Sequence, residues 1–285
     1  MSAQPYVEAP RRWGTLAEFA KLPAFLRRDL LTALSYRFGF VTGWIALGLQ
    51  AVLFYFVGEL VDPGALPSYG GHEVTYLEFA IIGIALGGFT ALALGRISAG
   101  IRNEQLMGTL ESLLVTPTSP NTIQIGTVLY DLVYVPVRTA LFLVFTTLVF
   151  GLDLRAAGLP AALLVLMAFI PFVWGLGVAN AGLVLTFRRG AGVVGFGAMI
   201  LTLLSGAYFP LDLLPGWLAT VAQYNPLALT IDSMRESLLG NAGTTDALVA
   251  AAEILPFSVV SLLGGLWIFR LALRRERRLG TIGLY

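Results

Sequence analysis

Asp131 and Arg138 stand inside an apolar run, seven residues apart and so on one face of a helix. A carboxylate and a guanidinium at that spacing can pair with each other across a bend at Pro136. Each can instead bond to a neighbouring helix, and Asp131 can reach the inner interface and be solvated there. A structural bond between helices is favoured over a proton relay. Gln50, Asn180 and Ser205 are lesser polar residues in similar surroundings. The remaining chemical inventory is thin. The chain has no cysteine and one histidine, His72, so disulfides, thiolate metal sites, a histidine metal cluster and a Ser-His triad lack their parts. The single lysine, Lys21, lies in Ala20-Lys21-Leu22-Pro23 and not in a glycine-rich phosphate loop, so this chain is not expected to hydrolyse ATP through a Walker A motif. No catalytic residue, metal site or bound cofactor is expected of it.

The elements that hold these residues are membrane spans. Of 285 residues, 57% are hydrophobic and only 12% are charged, and the mean hydropathy is +0.80. A soluble domain carries roughly twice that charge, about 25%. Net charge is +1, which argues against a nucleic-acid partner. A spanning helix needs about 20 mostly apolar residues. Six runs qualify: Phe38 to Leu60, Tyr76 to Ala99, Thr122 to Gly151, Pro160 to Phe187, Ala191 to Phe209 and Ala247 to Leu273. Arginines cluster before the first run, near Arg96 and Arg102, at Arg188 and Arg189, and from Arg270 to Arg278. The opposite loops hold only Arg155 and Arg235 and collect acids such as Glu59, Asp62, Asp153, Asp232, Glu236 and Asp246. By the positive-inside rule both termini are expected to be cytoplasmic. The long charged region before the first run is unlike a cleaved signal peptide.

Three segments outside the spans carry information. Residues 1–14 read as a disordered cytoplasmic tail, residues 15–37 as an amphipathic helix lying in the inner interface and bent at Pro23, and residues 274–285 as a second cytoplasmic tail. Residues 101–117 form an amphipathic piece between the second and third spans. Leu106, Leu110, Leu113 and Leu114 fall on one helical face, Glu104 and Glu111 lie near the opposite side, and Pro117 and Pro120 stop the helix. Such a helix can lie on the inner leaflet or dock in the groove of a soluble partner. Residues 210–240 are too apolar for a plain outer loop, and Pro210, Pro215 and Pro226 forbid one continuous helix. Two short helices in a re-entrant hairpin that caps a translocation path are expected, with an interfacial loop anchored by Trp217 and Tyr224 as the alternative. Small residues at Gly39 and Gly43, Gly83 and Gly87, and Gly192, Gly195 and Gly197 permit close helix contact, within the chain or at a dimer seam. Tyr55, Tyr208 and Phe209 are candidates for lining the outer end of a path, although an aromatic belt explains them equally well.

The pattern Glu104-x-x-x-Gly108-Thr109-Leu110-Glu111-x-Leu113-Leu114-x-Thr116-Pro117 resembles the signature of ABC-2 type transporter permeases. A second stretch is similar to that family after the fifth span: Tyr208-Phe209-Pro210, then Pro215-Gly216-Trp217-Leu218, Tyr224-Asn225-Pro226-Leu227 and Asp232-Ser-Met-Arg235. The resemblance runs from Arg27 to the end of the chain. It implies an all-α integral membrane protein of the bacterial cytoplasmic (inner) membrane. Six spans would occupy residues 38–273, with residues 101–117 as the ATPase-coupling helix and residues 210–240 as the outer hairpin. It further implies a homodimer bound to two copies of a separate nucleotide-binding ATPase subunit, which holds ATP and magnesium. That assembly would export an amphipathic or lipid-linked substrate (a glycan, lipid or drug) by alternating access. Three other readings remain open at the level of sequence: a secondary transporter or channel without an ATPase, a membrane assembly subunit that moves no solute, and an intramembrane enzyme.

Overall fold

The computed structural model describes residues 20–35, 37–62, 64, 66–71, 73–106, 120–187 and 191–279. Within them the chain is helical, with no strand. We label the helices α1 (Leu22–Ser35), α2 (Arg37–Gly58), α3 (Tyr76–Leu106), α4 (Pro120–Phe150), α5 (Leu159–Thr186), α6 (Ala191–Leu203), α7 (Gly216–Gln223), α8 (Pro226–Leu238) and α9 (Thr244–Leu279). Short 3-10 turns at Ala156–Gly158 and Leu211–Leu213 precede α5 and α7. Among the described residues five helices are long and apolar enough to cross a bilayer: α2, α3, α4, α5 and α9. Each begins and ends close to the apolar run that predicts it.

The fifth expected span behaves differently. Its helix, α6, stops after 13 residues at Leu203. At 1.5 Å per residue that is about 20 Å, short of the roughly 30 Å hydrocarbon core. The chain then turns through Gly206, whose φ of +68° lies in the left-handed region open to glycine at no steric cost. Hydropathy runs on unbroken to Phe209, so composition alone hides this stop.

Helices α3 and α5 form the centre. Of their apolar windows 78% and 67% of residues are buried, against 6% for α2 and 22% each for α4 and α9. The outer faces of α2, α4 and α9 present Phe38, Phe56, Leu148, Val260 and Trp267 to the surroundings, as side chains that meet lipid or another chain do. The closest packing joins α5 to α9. A Cβ at Gly265 would collide with the Gly175 carbonyl, and one at Gly175 with the Ser261 backbone. Hydroxyls bridge the same seam: Ser258 donates to the Ala168 carbonyl at 2.6 Å and Ser261 to that of Phe172 at 2.7 Å. Backbones that approach this closely are how helices associate where no hydrophobic drive separates lipid from protein.

Ala20 and Lys21 form a turn and α1 starts at Leu22, so Pro23 sits in the first turn of the helix rather than bending one. None of its described residues is buried. Phe25 packs its ring against Gly126 of α4, and Arg28 lies over Phe25 with its guanidinium 5.5 Å from the ring centre. α4 runs straight through Pro136 without interruption. α9 continues to Leu279, so the first part of the tail expected from residue 274 is helical. Residues 1–19, 107–119 and 280–285 lie outside the described residues, and with them the expected disordered tail and the last residues of the chain.

Candidate functional site: a groove and its capped outer end

Helices α2, α3, α5 and α6 enclose an open groove of about 670 Å³. Its walls are Gln50 from α2; Gly87, Gly88, Ala91, Leu94, Gly95 and Ala99 from α3; Asn180 and Val184 from α5; Gly195, Ala198, Met199, Thr202 and Leu203 from α6; and Tyr208 beyond it. None of these side chains is charged. Glycine makes the groove deep. A Cβ at Gly88, Gly95 or Gly195 would meet nothing within 4 Å among the described residues. Gly83 and Gly87 differ: a Cβ on Gly83 would strike the Ala207 backbone, and one on Gly87 would come 2.8 Å from the Thr202 methyl. Of the expected close-contact glycines, then, Gly83 and Gly87 pack within the chain. A Cβ on Gly39, Gly195 or Gly197 would meet nothing within 4 Å, and one on Gly43 would lie 3.5 Å from the Arg138 guanidinium. Asn180 reaches from α5 to α3, its Nδ2 donating to the Leu94 carbonyl at 3.1 Å.

Of the three aromatics expected on a path, Tyr208 lines the groove. Its ring stacks on Phe54 of α2 with centroids 5.6 Å apart, and its carbonyl accepts from the Tyr76 hydroxyl at 2.9 Å. Tyr55 turns to the opposite side of α2 and stacks on Phe150 of α4 at 5.5 Å. Phe209 is half-buried in the turn and is not part of the described lining.

The groove ends where α6 breaks, and the break is satisfied from downstream. Asn225 is the N-cap of α8, its Oδ1 accepting from the Leu227 amide at 3.0 Å. Its Nδ2 donates back to the carbonyls of Leu201 at 2.7 Å and Leu204 at 3.0 Å. From the last turn of the same helix, Arg235 donates from Nη2 to the carbonyl of Gly206 at 2.9 Å and to that of Ala207 at 3.4 Å. Its Nε donates to the Phe79 carbonyl of α3 at 3.0 Å, and its guanidinium lies 3.6 Å from the centre of the Phe79 ring. Non-helical backbone away from water needs donors of this kind. Tyr69, in the loop before α3, is packed against the same guanidinium. Burial pushes its phenol up to about 12, with Arg235 pulling the other way, so it is a neutral hydroxyl at physiological pH.

Helices α7 and α8 start at Gly216, after Pro215, and at Pro226, after Asn225, where the prolines predict breaks. Trp217 and Val221 on α7, Leu213 in the turn before it and Tyr224 at its C-cap are exposed, while most of α8 is buried. The two arginines that break the charge asymmetry are both engaged locally: Arg235 as above, and Arg155 through a bond to the Asn241 side chain and its amide to the Leu238 carbonyl at 2.8 Å. Arg235 is legible in the sequence only as a loop charge. Its three-way role rests on partners 28, 29 and 156 residues distant.

At the other end of the bundle, Asp131 and Arg138 do not pair with each other. Asp131 bonds Arg96 of α3, whose guanidinium also lies 4.9 Å from the Tyr134 ring centre and 5.8 Å from that of Tyr130. Arg138 donates from Nη2 to the Gly43 carbonyl of α2 at 3.1 Å. Each bond joins two helices, α4 to α3 through Asp131 and α4 to α2 through Arg138. The Asp131 side chain is 11% exposed and that of Arg96 38%, so the pair is partly screened. A double-mutant cycle of Asp131→Asn and Arg96→Gln, read by denaturant titration in detergent, is expected to show a coupling on the order of 1 kcal/mol. A coupling near zero would mean the pair is ornamental. Glu104 lies on the helical end of α3, and Gly108, Thr109, Leu110, Glu111, Leu114, Thr116 and Pro117 lie outside the described residues.

Comparisons with known proteins agree with this arrangement. The description "ABC-2 type transporter" matches residues 21–239, from α1 through the groove and the break in α6 to the end of α8. The linearmycin resistance permease protein LnrN of Bacillus subtilis (strain 168) is 26% identical over 179 residues, which are 62% of this chain and 46% of that protein. The match thus spans about half the length of that relative. A multi-pass helical bundle matched from its first described helix to the end of α8 fixes the assignment: the chain belongs to the ABC-2 type transporter family.

Proposed function

We propose that this chain is the membrane-spanning half of an ATP-driven exporter. The observation that carries the reading is the charge-free groove between α2, α3, α5 and α6, held at its outer end by a helical hairpin. Such a groove suits an amphipathic or lipid-linked molecule entering laterally, and its lining carries no charged side chain. In this reading α6 and the turn after it complete a sixth crossing, α7 and α8 form a re-entrant hairpin in the outer leaflet, and both termini lie on the cytoplasmic side of a bacterial inner membrane. Exposed Trp217 and Tyr224 suit the outer interface.

The engine is a separate ATPase subunit, present in two copies on a homodimer of this chain and holding ATP and magnesium. α3 supports that placement. Its apolar window ends at Ile97 and the helix runs on to Leu106, roughly 14 Å further at 1.5 Å per residue. That length delivers residues 101–117 beyond the hydrocarbon, to a surface a soluble partner can push. ATP-driven closure of the ATPase pair would rock the two halves and expose the groove outward. Engagement of Asp131 by Arg96 and of Arg138 by Gly43 weighs against a proton-driven carrier.

The test is affinity purification of the tagged chain from its native membrane in mild detergent. A stoichiometric partner of about 25–35 kDa, one or two domains in size, that hydrolyses ATP is the expected result. A folded chain that elutes alone, without ATPase, would overturn it in favour of a carrier or channel.

A further inference from the structure

We propose that Arg235 is the positioning residue of the outer gate: it clamps the start of α3, the break after α6 and helix α8 into one block, and the outer end of the groove opens only when that clamp releases. The inference rests on reading the groove as the transport path, but its test does not.

Three observations carry it. Arg235 is 3% exposed and donates in two directions at once, from Nε to Phe79 on α3 and from Nη2 to Gly206 and Ala207 at the break. A planar guanidinium fixes the angle between those directions, which a single ammonium cannot do. Next, the residues clamped are continuous with the groove: Thr202, Leu203 and Tyr208 line it on either side of the break. The α6 end therefore moves with α8, or not at all. Last, the described hydrogen bonds go to neutral acceptors, two of them on a strand of non-helical backbone, with Asp232 three residues away adding attraction only through space. Bonds to neutral carbonyls are weaker than bonds to a carboxylate, so the clamp lacks the ion pair that would lock it. The gate opposite is lightly held. α2 is the least buried span and meets this region through Phe54 on Tyr208.

The chain has no cysteine, so one introduced thiol reports alone. Ser205 is 2% exposed and lies at the break, its hydroxyl donating to the Thr202 carbonyl at 2.6 Å. Ala161, also 2% exposed, lies in the first turn of α5 and serves as the control. The chain in lipid nanodiscs is treated with a charged, membrane-impermeant maleimide. With Arg235 intact, Ser205→Cys should label slowly. Arg235→Gln should raise its rate at least ten-fold and leave Ala161→Cys unchanged, and Arg235→Lys should fall between, by restoring charge without the fork. An unchanged Ser205→Cys rate in a folded Arg235→Gln chain would overturn the proposal. So would parallel increases at both thiols, which would make Arg235 a general stability residue. If Arg235→Gln does not yield folded protein, Arg235→Lys decides by the same criteria.

Discussion

Leu114→Asp is expected to detach the ATPase from this chain while leaving the chain in the membrane. The spacing of Leu106, Leu110, Leu113 and Leu114 would place them on one face of a helix, and in the proposed assembly such a face would bind the ATPase by burying it. An aspartate there would place an unpaired carboxylate in the interface, at a cost of several kcal/mol. Every 1.4 kcal/mol is about ten-fold in affinity, so a loss of 100-fold or more is expected. Glu111→Arg reverses charge on the other side of the same helix and should weaken binding less, through the rate of encounter. Both residues lie outside the apolar runs that make the spans, so insertion and expression should hold. The measurement is ATPase activity recovered per mole of purified chain. Unchanged recovery and unchanged turnover in both variants would show that the ATPase grips elsewhere.

Gly265→Ala is expected to be among the most damaging single substitutions in the molecule, and Gly264→Ala beside it nearly silent. The two differ by one residue and by what surrounds them. An added Cβ at Gly265 would collide with the Gly175 carbonyl, which is backbone and cannot rotate away. An added Cβ at Gly264 meets nothing within 4 Å. α5 and α9 would have to separate, breaking the Ser258 and Ser261 hydroxyl bonds across the seam. Overpacking of a well-fitted site costs roughly 1–3 kcal/mol, and the rigid obstacle puts this case at the top of that range. At Gly264 the gain in helix propensity should leave stability level or raise it by up to about 1 kcal/mol. Thermal unfolding in detergent of the two variants side by side separates them. Equal midpoints would mean that the seam relaxes freely.

Much of this architecture is written locally. Five helices coincide with apolar runs because any run of that length must be helical in lipid, whatever its neighbours. Pro215 and Pro226 mark the hairpin breaks for an equally local reason, since proline cannot donate within a helix. The polar logic is written at a distance. Nothing near Asp131 names Arg96 as its partner, and the two are separated by 35 residues. Arg235 reads as an outer-loop charge until Phe79 and Gly206 are brought to it. The same holds for glycine: Gly83 and Gly87 fall at a recognisable spacing on one helix, whereas Gly175 and Gly265 meet only because α5 and α9 do. The groove is the extreme case. Its glycines are defined by space left empty, which no periodicity encodes.

The donors that satisfy the end of α6 come later in the chain than the carbonyls they serve. Gly206 leaves the ribosome 29 residues before Arg235. At about 5–20 residues per second that interval is roughly 1.5–6 s. Through it, the bared end of α6 must stay in contact with water or with the insertion machinery, since lipid offers no substitute. The chain therefore does not set span by span as it is made. The end of α6 stays provisional until α8 arrives, and a released chain truncated before residue 225 should leave the Ser205→Cys thiol open to maleimide. Assembly of this protein has a deadline as well as an order: two later polar side chains, Asn225 and Arg235, decide whether the earlier helix α6 can end where it does.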